Sequence, residues 1–209
     1  MLISELAQMV HMNAVAHGWW DEERDMPEII ALIHSEWSEA LEEARAGRPL
    51  AYIVAETGSQ RDPVTSIILR NADGKYIAPW GKEYCGKPEG VAVELIDGCI
   101  RILDLMGKLE SKITNDGAES EIESLYSDNN VAKVPEKLSE MVAYLHLYTS
   151  TSMSSRSFHD LCLPDIFALM GGMAAALSWV KKQGLDPLAI LMEKHEYNKT
   201  RPYKHGKKF

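Results

Sequence analysis

Residues 89–107 carry the sequence EGVAVELIDGCIRILDLMG, in which nearly every position is apolar or small. A helix that is apolar on all sides is buried inside a protein, so this stretch predicts a central helix. Charged side chains interrupt it at steps of three, four and three, which places them on one stripe of the helix. These residues are Glu94, Asp97, Arg101 and Asp104. Because unpaired buried carboxylates are very costly, the stripe requires either a bound metal ion or a structural ion network in which Arg101 neutralises Asp97 and Asp104.

A second acidic pair, Glu36 and Glu39, lies in a strongly helical pattern and is spaced i, i+3 at the border of the apolar face. Such pairs are common on solvated helices, although like charges at this spacing destabilise a helix by about 0.2–0.5 kcal/mol. Two helices that each present carboxylates beside their buried faces can surround one cavity with oxygen donors. Oxygen ligands favour a hard cation, so we expect Mg²⁺, with Mn²⁺ as the natural substitute.

The hydrophobic periodicity predicts a single all-α domain that covers residues 1–209. Its helices are expected at about 2–17, 28–46, 89–107, 135–151, 165–182 and 186–199. Residues 48–86 are rich in Pro, Gly, Asp and Asn, and they predict an insertion with a small β-hairpin at about 60–80, formed by residues 65–70 and 75–78. Residues 110–134 are polar without a clear period and predict a mobile connector.

The composition restricts the class of partner and the compartment. A net charge of −9 indicates a surface that repels duplex nucleic acid and anionic lipid. The three cysteines are widely spaced and form no CxxC pair, which is typical of thiols in a reducing cytoplasm. The longest apolar run, residues 166–180, is too short to cross a bilayer, and residues 1–10 lack the basic start of a signal peptide. We therefore expect a cytoplasmic protein without a membrane segment.

The C-terminal segment, residues 194–209, is basic, and its last eleven residues contain five Lys or Arg and no acid. Lys194, Asn198 and Arg201 fall on one helical face, and Lys204 follows them. Basic groups beside an acidic metal site are suited to a triphosphate, although a solvated tail has the same charge pattern. Two adjacent aromatic residues, Trp19 and Trp20, are candidates for stacking on a base or for packing against a helix start.

The residues quoted so far resemble a known pattern. Glu36-x-x-Glu39 followed by Glu94-x-x-Asp97 is similar to the ExxE…ExxD signature of the MazG-like, all-α NTP pyrophosphohydrolases. Residues 17–20, 33–45, 87–104 and 197–207 resemble the bacterial and phage MazG-like subgroup, so the resemblance spans most of residues 11–108 and 185–208. The distance from Glu39 to Glu94 is long for this family, which is why residues 48–86 are interpreted as an insertion.

This resemblance implies a metal-centred helical bundle that assembles as a homodimer or a dimer of dimers. It implies hydrolysis of nucleoside triphosphates to the monophosphate and pyrophosphate, with a metal-activated water attacking the α-phosphorus. Four carboxylates would hold Mg²⁺: Glu36, Glu39, Glu94 and Asp97. Among them the catalytic role falls to Glu36 and above all Glu39, which would help to deprotonate the water. Substrate would be bound through Lys194, Asn198, Arg201, Lys204, Trp19 and Trp20.

Three other interpretations remain open at this stage. The chain could be a non-catalytic helical interaction module in which the acidic stripe is a structural network. It could be a regulator that binds nucleotides without turnover. It could also be a metal-dependent phosphohydrolase that releases orthophosphate instead of pyrophosphate.

Overall fold

The computed structural model describes residues 1–55, 76–77, 83–84, 86–109, 120–152 and 163–206. Within these ranges the chain is mostly helical, as the sequence predicts. The α-helices are α1 (Ile3–Ala16), α2 (Met26–Arg45), α3 (Val91–Lys108), α4 (Asp128–Lys133), α5 (Leu138–Thr151), α6 (Leu163–Lys182) and α7 (Pro187–Lys199). Two 3₁₀ helices span Ile122–Tyr126 and Tyr203–Gly206. No helix in the described residues is long and apolar enough to cross a membrane.

Helix α3 is the centre of the core, and α1, α2, α6 and α7 all pack against it. Its start is fixed by Gly90, whose φ of 112° few other residues adopt, and by a hydrogen bond of 2.8 Å from the Ala92 amide to the Leu50 carbonyl. Thirteen of its residues are buried, including both Glu94 and the apolar positions around it. The prediction that this stretch forms a buried central helix is confirmed.

Helices α2 and α3 approach each other closely where Gly98 meets Trp37. A Cβ atom added at Gly98 would overlap the Trp37 ring, so the absence of a side chain sets this spacing. The indole of Trp37 is fully buried and donates a hydrogen bond of 2.9 Å to Thr149 Oγ1 on α5. At the start of α2, the Asp25 side chain accepts a hydrogen bond from the Glu28 amide and Pro27 occupies the first turn. These contacts hold the acidic face of α2 against α3.

Short strands border the segment that was interpreted as an insertion. Strand β1 (Tyr52–Ala55) pairs antiparallel with β4 (Gly86–Glu89), and β2 (Tyr76–Ile77) pairs antiparallel with β3 (Glu83–Tyr84). The register Tyr52↔Glu89 brings the two ends of the segment together at the base of α3. The predicted strand at 65–70 lies outside the described residues, whereas β2 falls within the predicted strand at 75–78.

The prediction of a mobile connector over residues 110–134 is wrong for its second half. Residues 120–134 contain the first 3₁₀ helix and α4, and Ile122 is fully buried. Backbone hydrogen bonds of 3.0 Å join Ile3 to Ser120 and Ile122 to Met1. The error arose because a few irregularly spaced buried side chains (Ile122, Tyr126 and Val134) and main-chain contacts order this segment without any hydrophobic period. Residues 110–119 lie outside the described part of the chain.

Candidate functional site

A cleft of about 210 Å³ lies between α1, α2, α3 and α7. Its walls carry five carboxylates and five basic side chains. The acidic residues are Glu36, Glu39, Glu94, Asp97 and Asp104, and the basic residues are Arg24, Lys87, Arg101, Lys194 and Arg201. A cleft with this many charged groups of both signs is suited to a small, charged ligand rather than to an apolar one.

Three of the four predicted metal ligands meet in this cleft. Glu36, Glu39 and Glu94 each offer a carboxylate oxygen, and these oxygens all lie within 4.8 Å of one another. Glu36 and Glu94 are buried, whereas Glu39 is exposed. Magnesium holds oxygen ligands at about 2.1 Å, so opposite ligands of one ion stand about 4.2 Å apart. Small side-chain rotations would therefore close the three carboxylates on one hard cation, and this all-oxygen donor set fits Mg²⁺ or Mn²⁺.

The two buried carboxylates have little compensation for their charge. Burial, reinforced by the charge of Asp97, raises the pKa of Glu94 to about 8. Burial also raises the pKa of Glu36, and the neighbouring Arg101 only partly opposes it. The Arg101 Nε group donates a short hydrogen bond to Glu36 Oε1, whereas no described residue donates one to the Glu94 side chain. A divalent cation between these carboxylates would favour their ionised forms and so oppose the effect of burial on both pKa values.

The fourth predicted ligand, Asp97, is bound by Lys194 instead of joining the cluster. Lys194 Nζ lies 2.6 Å from Asp97 Oδ2, and its side chain is 2% exposed. The ammonium group also donates a hydrogen bond of 3.2 Å to the Pro88 carbonyl. Burial alone would lower the pKa of Lys194, but the charges of Asp97 and Glu94 outweigh it and raise the pKa. A predicted phosphate-binding residue and a predicted metal ligand are thus paired with each other.

The charged residues of the α3 stripe pair with different partners from those in the ion network that the sequence suggested. In that network Arg101 neutralises Asp97 and Asp104. In the described residues Arg101 pairs with Glu36 on α2, Asp97 pairs with Lys194 on α7, and Asp104 accepts hydrogen bonds from His11 and Trp20. Three of the four charged residues of the stripe therefore tie α3 to different parts of the chain, and Glu94 is the exception among the described residues.

The remaining predicted substrate residues divide into two groups. Asn198, Arg201 and Trp19 line the cleft, and the Oδ1 atom of Asn198 is buried without a hydrogen-bond partner in the described residues. Burial lowers the pKa of Arg201 from its usual high range, and the guanidinium lies 5.9 Å from the centre of the Tyr197 ring. Trp20 and Lys204 are not among the lining residues.

Both of these residues form hydrogen bonds with other parts of the chain, Trp20 with α3 and Lys204 with the end of α1. The Trp20 indole donates a hydrogen bond of 2.9 Å to Asp104 Oδ1, which turns the polar edge of the ring towards α3. Lys204 has a φ of 45°, and its amide donates a hydrogen bond of 2.9 Å to the His17 carbonyl. The latter contact ties the C-terminal 3₁₀ helix to the end of α1.

Sequence reasoning missed two basic residues of the cleft, Arg24 and Lys87, and it assigned no role to His11. Arg24 precedes α2, and its guanidinium lies 5.5 Å from the centre of the Trp19 ring. Lys87 belongs to β4 and forms an ion pair of 2.9 Å with Glu89. No periodic pattern marks either residue, because strand and connector positions acquire their neighbours only through the tertiary fold.

Comparison with protein-family models, with curated proteins and with solved structures finds no match for this chain.

Proposed function

We propose that this protein is a Mg²⁺-dependent nucleoside triphosphate pyrophosphohydrolase that converts (deoxy)nucleoside triphosphates into the monophosphate and pyrophosphate. The observation that carries the proposal is the convergence of Glu36, Glu39 and Glu94 on one point of the cleft. Two of these carboxylates are buried at a cost that a divalent cation would remove. The resemblance to the ExxE…ExxD pattern supports the same class of reaction.

The charge of the cleft walls supports a metal–triphosphate complex as the ligand. The five acidic and five basic residues that line the cleft balance formally. A triphosphate that enters together with divalent cations adds little net charge, so it does not upset this balance. The basic residues Lys87, Lys194 and Arg201 and the amide of Asn198 lie around the carboxylate cluster in the same cleft, where they would contact phosphate oxygens.

The roles of the residues follow from their positions. When bound, Mg²⁺ would supply charge neutralisation at the phosphates and acidify a water for attack on the α-phosphorus. Glu36 and Glu94 would hold the ion, because they are the buried members of the cluster. Glu39 is the exposed member and would accept a proton from the attacking water. The water oxygen would bond to the α-phosphorus as pyrophosphate leaves. A phosphate group would compete with Asp97 for the Lys194 ammonium, after which Asp97 could contribute to the ion.

The test is a panel of ribo- and deoxyribonucleoside triphosphates with Mg²⁺ or Mn²⁺, in which pyrophosphate and orthophosphate are measured separately. We expect pyrophosphate and the monophosphate in equal amounts, and their loss in the Glu94→Gln variant. Glu42→Gln is the matched control, because Glu42 lies on α2 and pairs with Arg45 at the exposed surface, away from the cleft. Orthophosphate without pyrophosphate would show a phosphohydrolase, and no product from any nucleotide would reject the enzyme.

A second candidate function is nucleotide binding without turnover. It is favoured by one observation: Glu36 and Asp97 already have cationic partners, Arg101 and Lys194. A carboxylate network that is neutralised by the protein would be stable without metal. Mn²⁺ titration by calorimetry separates the two functions, because the network predicts no saturable binding whereas the enzyme predicts binding that Glu94→Gln removes.

Self-association as a homodimer or dimer of dimers is part of the proposal. Large apolar side chains are exposed on α5 and α6, where Leu147 is 59% and Phe167 51% exposed. Exposed apolar residues on neighbouring helices are suited to an interface between subunits. Light scattering after size-exclusion chromatography tests this, and a monomer at micromolar concentration would contradict it.

A further inference from the structure

The end of the cleft away from the carboxylate cluster contains a carboxylate in a different situation. Asp104 Oδ1 accepts a hydrogen bond of 2.8 Å from His11 Nδ1 and one of 2.9 Å from Trp20 Nε1. Its side chain is 18% exposed and lines the cleft. Among the described residues none donates a hydrogen bond to Oδ2. Because an ionised carboxylate has about four acceptor positions, Asp104 keeps the capacity to accept a hydrogen bond from a ligand.

The position of Asp104 on α3 separates it from the metal-type cluster. It lies ten residues beyond Glu94, which corresponds to about 15 Å along the helix axis. At that distance it cannot share a cation with Glu94. The two donors to Oδ1 come from α1 and from the turn after it, so they fix the orientation of the carboxylate against two separate parts of the chain.

The neighbouring walls indicate what such an acceptor would contact. The cleft is also lined by the Trp19 side chain and by Val10 and Ala14 of α1. Aromatic and apolar side chains in the same cleft as a fixed carboxylate suit a planar nucleobase. A phosphate group is disfavoured next to Asp104, because a carboxylate only accepts hydrogen bonds and carries like charge.

We propose that Asp104 determines base specificity by accepting, at Oδ2, a hydrogen bond from an exocyclic amino group of the nucleobase. This inference rests on the proposed function, because that function places the phosphates at the carboxylate cluster and so directs the base towards Asp104. A base with a carbonyl oxygen in place of the amino group would face the carboxylate with a second acceptor. Cytosine and adenine are therefore preferred over uracil and hypoxanthine, and His11 and Trp20 are positioning residues for this contact. A single base contact of this kind corresponds to roughly 10- to 100-fold discrimination.

The experiment measures kcat/KM for dCTP against dUTP and for dATP against dITP, in the wild type and in Asp104→Asn. We expect the wild type to prefer the amino-bearing member of each pair by roughly 10- to 100-fold. Asp104→Asn should reduce both ratios to a few-fold, because the amino-bearing member of each pair loses its preferred acceptor. Asp128→Asn is the matched control, because Asp128 is fully exposed on α4 and outside the cleft.

Several outcomes would overturn this role for Asp104. An equal loss of kcat/KM for both members of each pair would assign Asp104 a purely structural role. A change in the preference between CTP and dCTP, with the dCTP to dUTP ratio unchanged, would place the sugar beside it. If Asp104→Asn does not fold, Trp20→Phe removes one donor to Oδ1 and should lower the dCTP to dUTP ratio. An unchanged ratio in that variant contradicts the inference.

Binding of the monophosphates makes the result independent of turnover. Tryptophan fluorescence titrations compare CMP with UMP and AMP with IMP in the same variants. If no triphosphate is hydrolysed but Asp104→Asn removes a preference for CMP over UMP, the inference stands and the proposed reaction fails. If triphosphates are hydrolysed and neither turnover nor binding discriminates between amino and carbonyl bases, the inference fails and the proposed reaction stands.

Discussion

The two ends of the acidic stripe on α3 contain the same kind of side chain in opposite situations. At one end Glu94 is buried against Glu36 and Glu39, has no hydrogen-bond donor among the described residues, and has a pKa raised to about 8. At the other end Asp104 accepts two hydrogen bonds, one from the His11 ring and one from the Trp20 indole. The carboxylates at the first end lie close together around a buried residue that has no donor, whereas the chain itself supplies two donors to one oxygen of the carboxylate at the second end.

A carboxylate on an apolar helix therefore does not by itself indicate a metal site. Whether a carboxylate belongs to a metal site depends on the hydrogen-bond donors and charges that the neighbouring helices place around it. The same stripe can therefore include, within about three helical turns, one member of a group of closely spaced carboxylates and one carboxylate that is fixed as a hydrogen-bond acceptor.

The largest effect is expected from substitution at the Glu94 end. Glu94→Gln keeps the shape of the side chain but removes its charge, so we expect loss of saturable Mn²⁺ binding and at least about a hundredfold lower kcat. Asp104→Asn should retain Mn²⁺ binding, because Asp104 is not part of the cluster. Calorimetric titration of both variants checks this. Equal loss of Mn²⁺ binding in the two variants would show that the two ends are not functionally separate.

Gly98 lies between the two ends and sets the distance from α2 to α3. In Gly98→Ala the new methyl group would displace the Trp37 ring, so we expect the free energy of unfolding to fall by about 1–3 kcal/mol. Because Glu36 and Glu39 move with α2, Mn²⁺ affinity should fall as well. The hydrogen bonds to Asp104 should be less affected, because its partners do not belong to α2.

Urea unfolding measures the change at Gly98. Gly172→Ala is the control, since Gly172 also lies inside a helix and its added Cβ would be 3.3 Å from Tyr148 Cβ, a much milder overlap than the one with the Trp37 ring at Gly98. Comparable stability of the two variants would mean that the contact with Trp37 does not limit the spacing.

The raised pKa of Glu94 predicts how the stability of the metal-free protein depends on pH. The pKa rises from an ordinary value of 4.5 to about 8 on folding, so the folded state binds more protons between these values. Stability should therefore fall as pH rises from about 5 to 8, with a slope of at most about 1.4 kcal/mol per pH unit from this group. Addition of Mg²⁺ should reverse the trend, because the ion binds the deprotonated carboxylates.

Urea unfolding of the wild type and of Glu94→Gln at pH 5, 6, 7 and 8 isolates this contribution. The difference in unfolding free energy between the two proteins should change with pH, and Asp104→Asn should follow the wild type. A difference that is constant over this range would mean that Glu94 does not titrate there.

The smallest effect is expected at the Asp104 end. Trp20→Phe removes one of the two donors to Asp104 Oδ1, and water can replace it because the carboxylate is partly exposed. We expect the free energy of unfolding to fall by about 1 kcal/mol, with Mn²⁺ affinity unchanged. Thermal unfolding and Mn²⁺ titration check this, and a loss of Mn²⁺ affinity in Trp20→Phe would contradict the separation of the two ends.

The positions of the long helices and the burial of α3 could be predicted from the sequence alone. Hydrophobic periodicity is a local property, so the predicted boundaries of the long helices fall within a few residues of those observed. The spacing of Glu36, Glu39 and Glu94 likewise determined that these carboxylates lie beside buried helix faces. The ordered segment 120–134 was missed because long-range main-chain contacts, and not periodicity, hold it.

Only the tertiary structure decided which charged groups meet. No local pattern relates Asp97 to Lys194, or Asp104 to Trp20, because these pairs are separated by 97 and 84 residues and depend on how α1, α3 and α7 are placed. The close contact of Gly98 with Trp37 sets how near the two acidic helices approach. The sequence determined which side chains could build a site, and the packing of the helices determined which carboxylates converge and which are paired with donors from other parts of the chain.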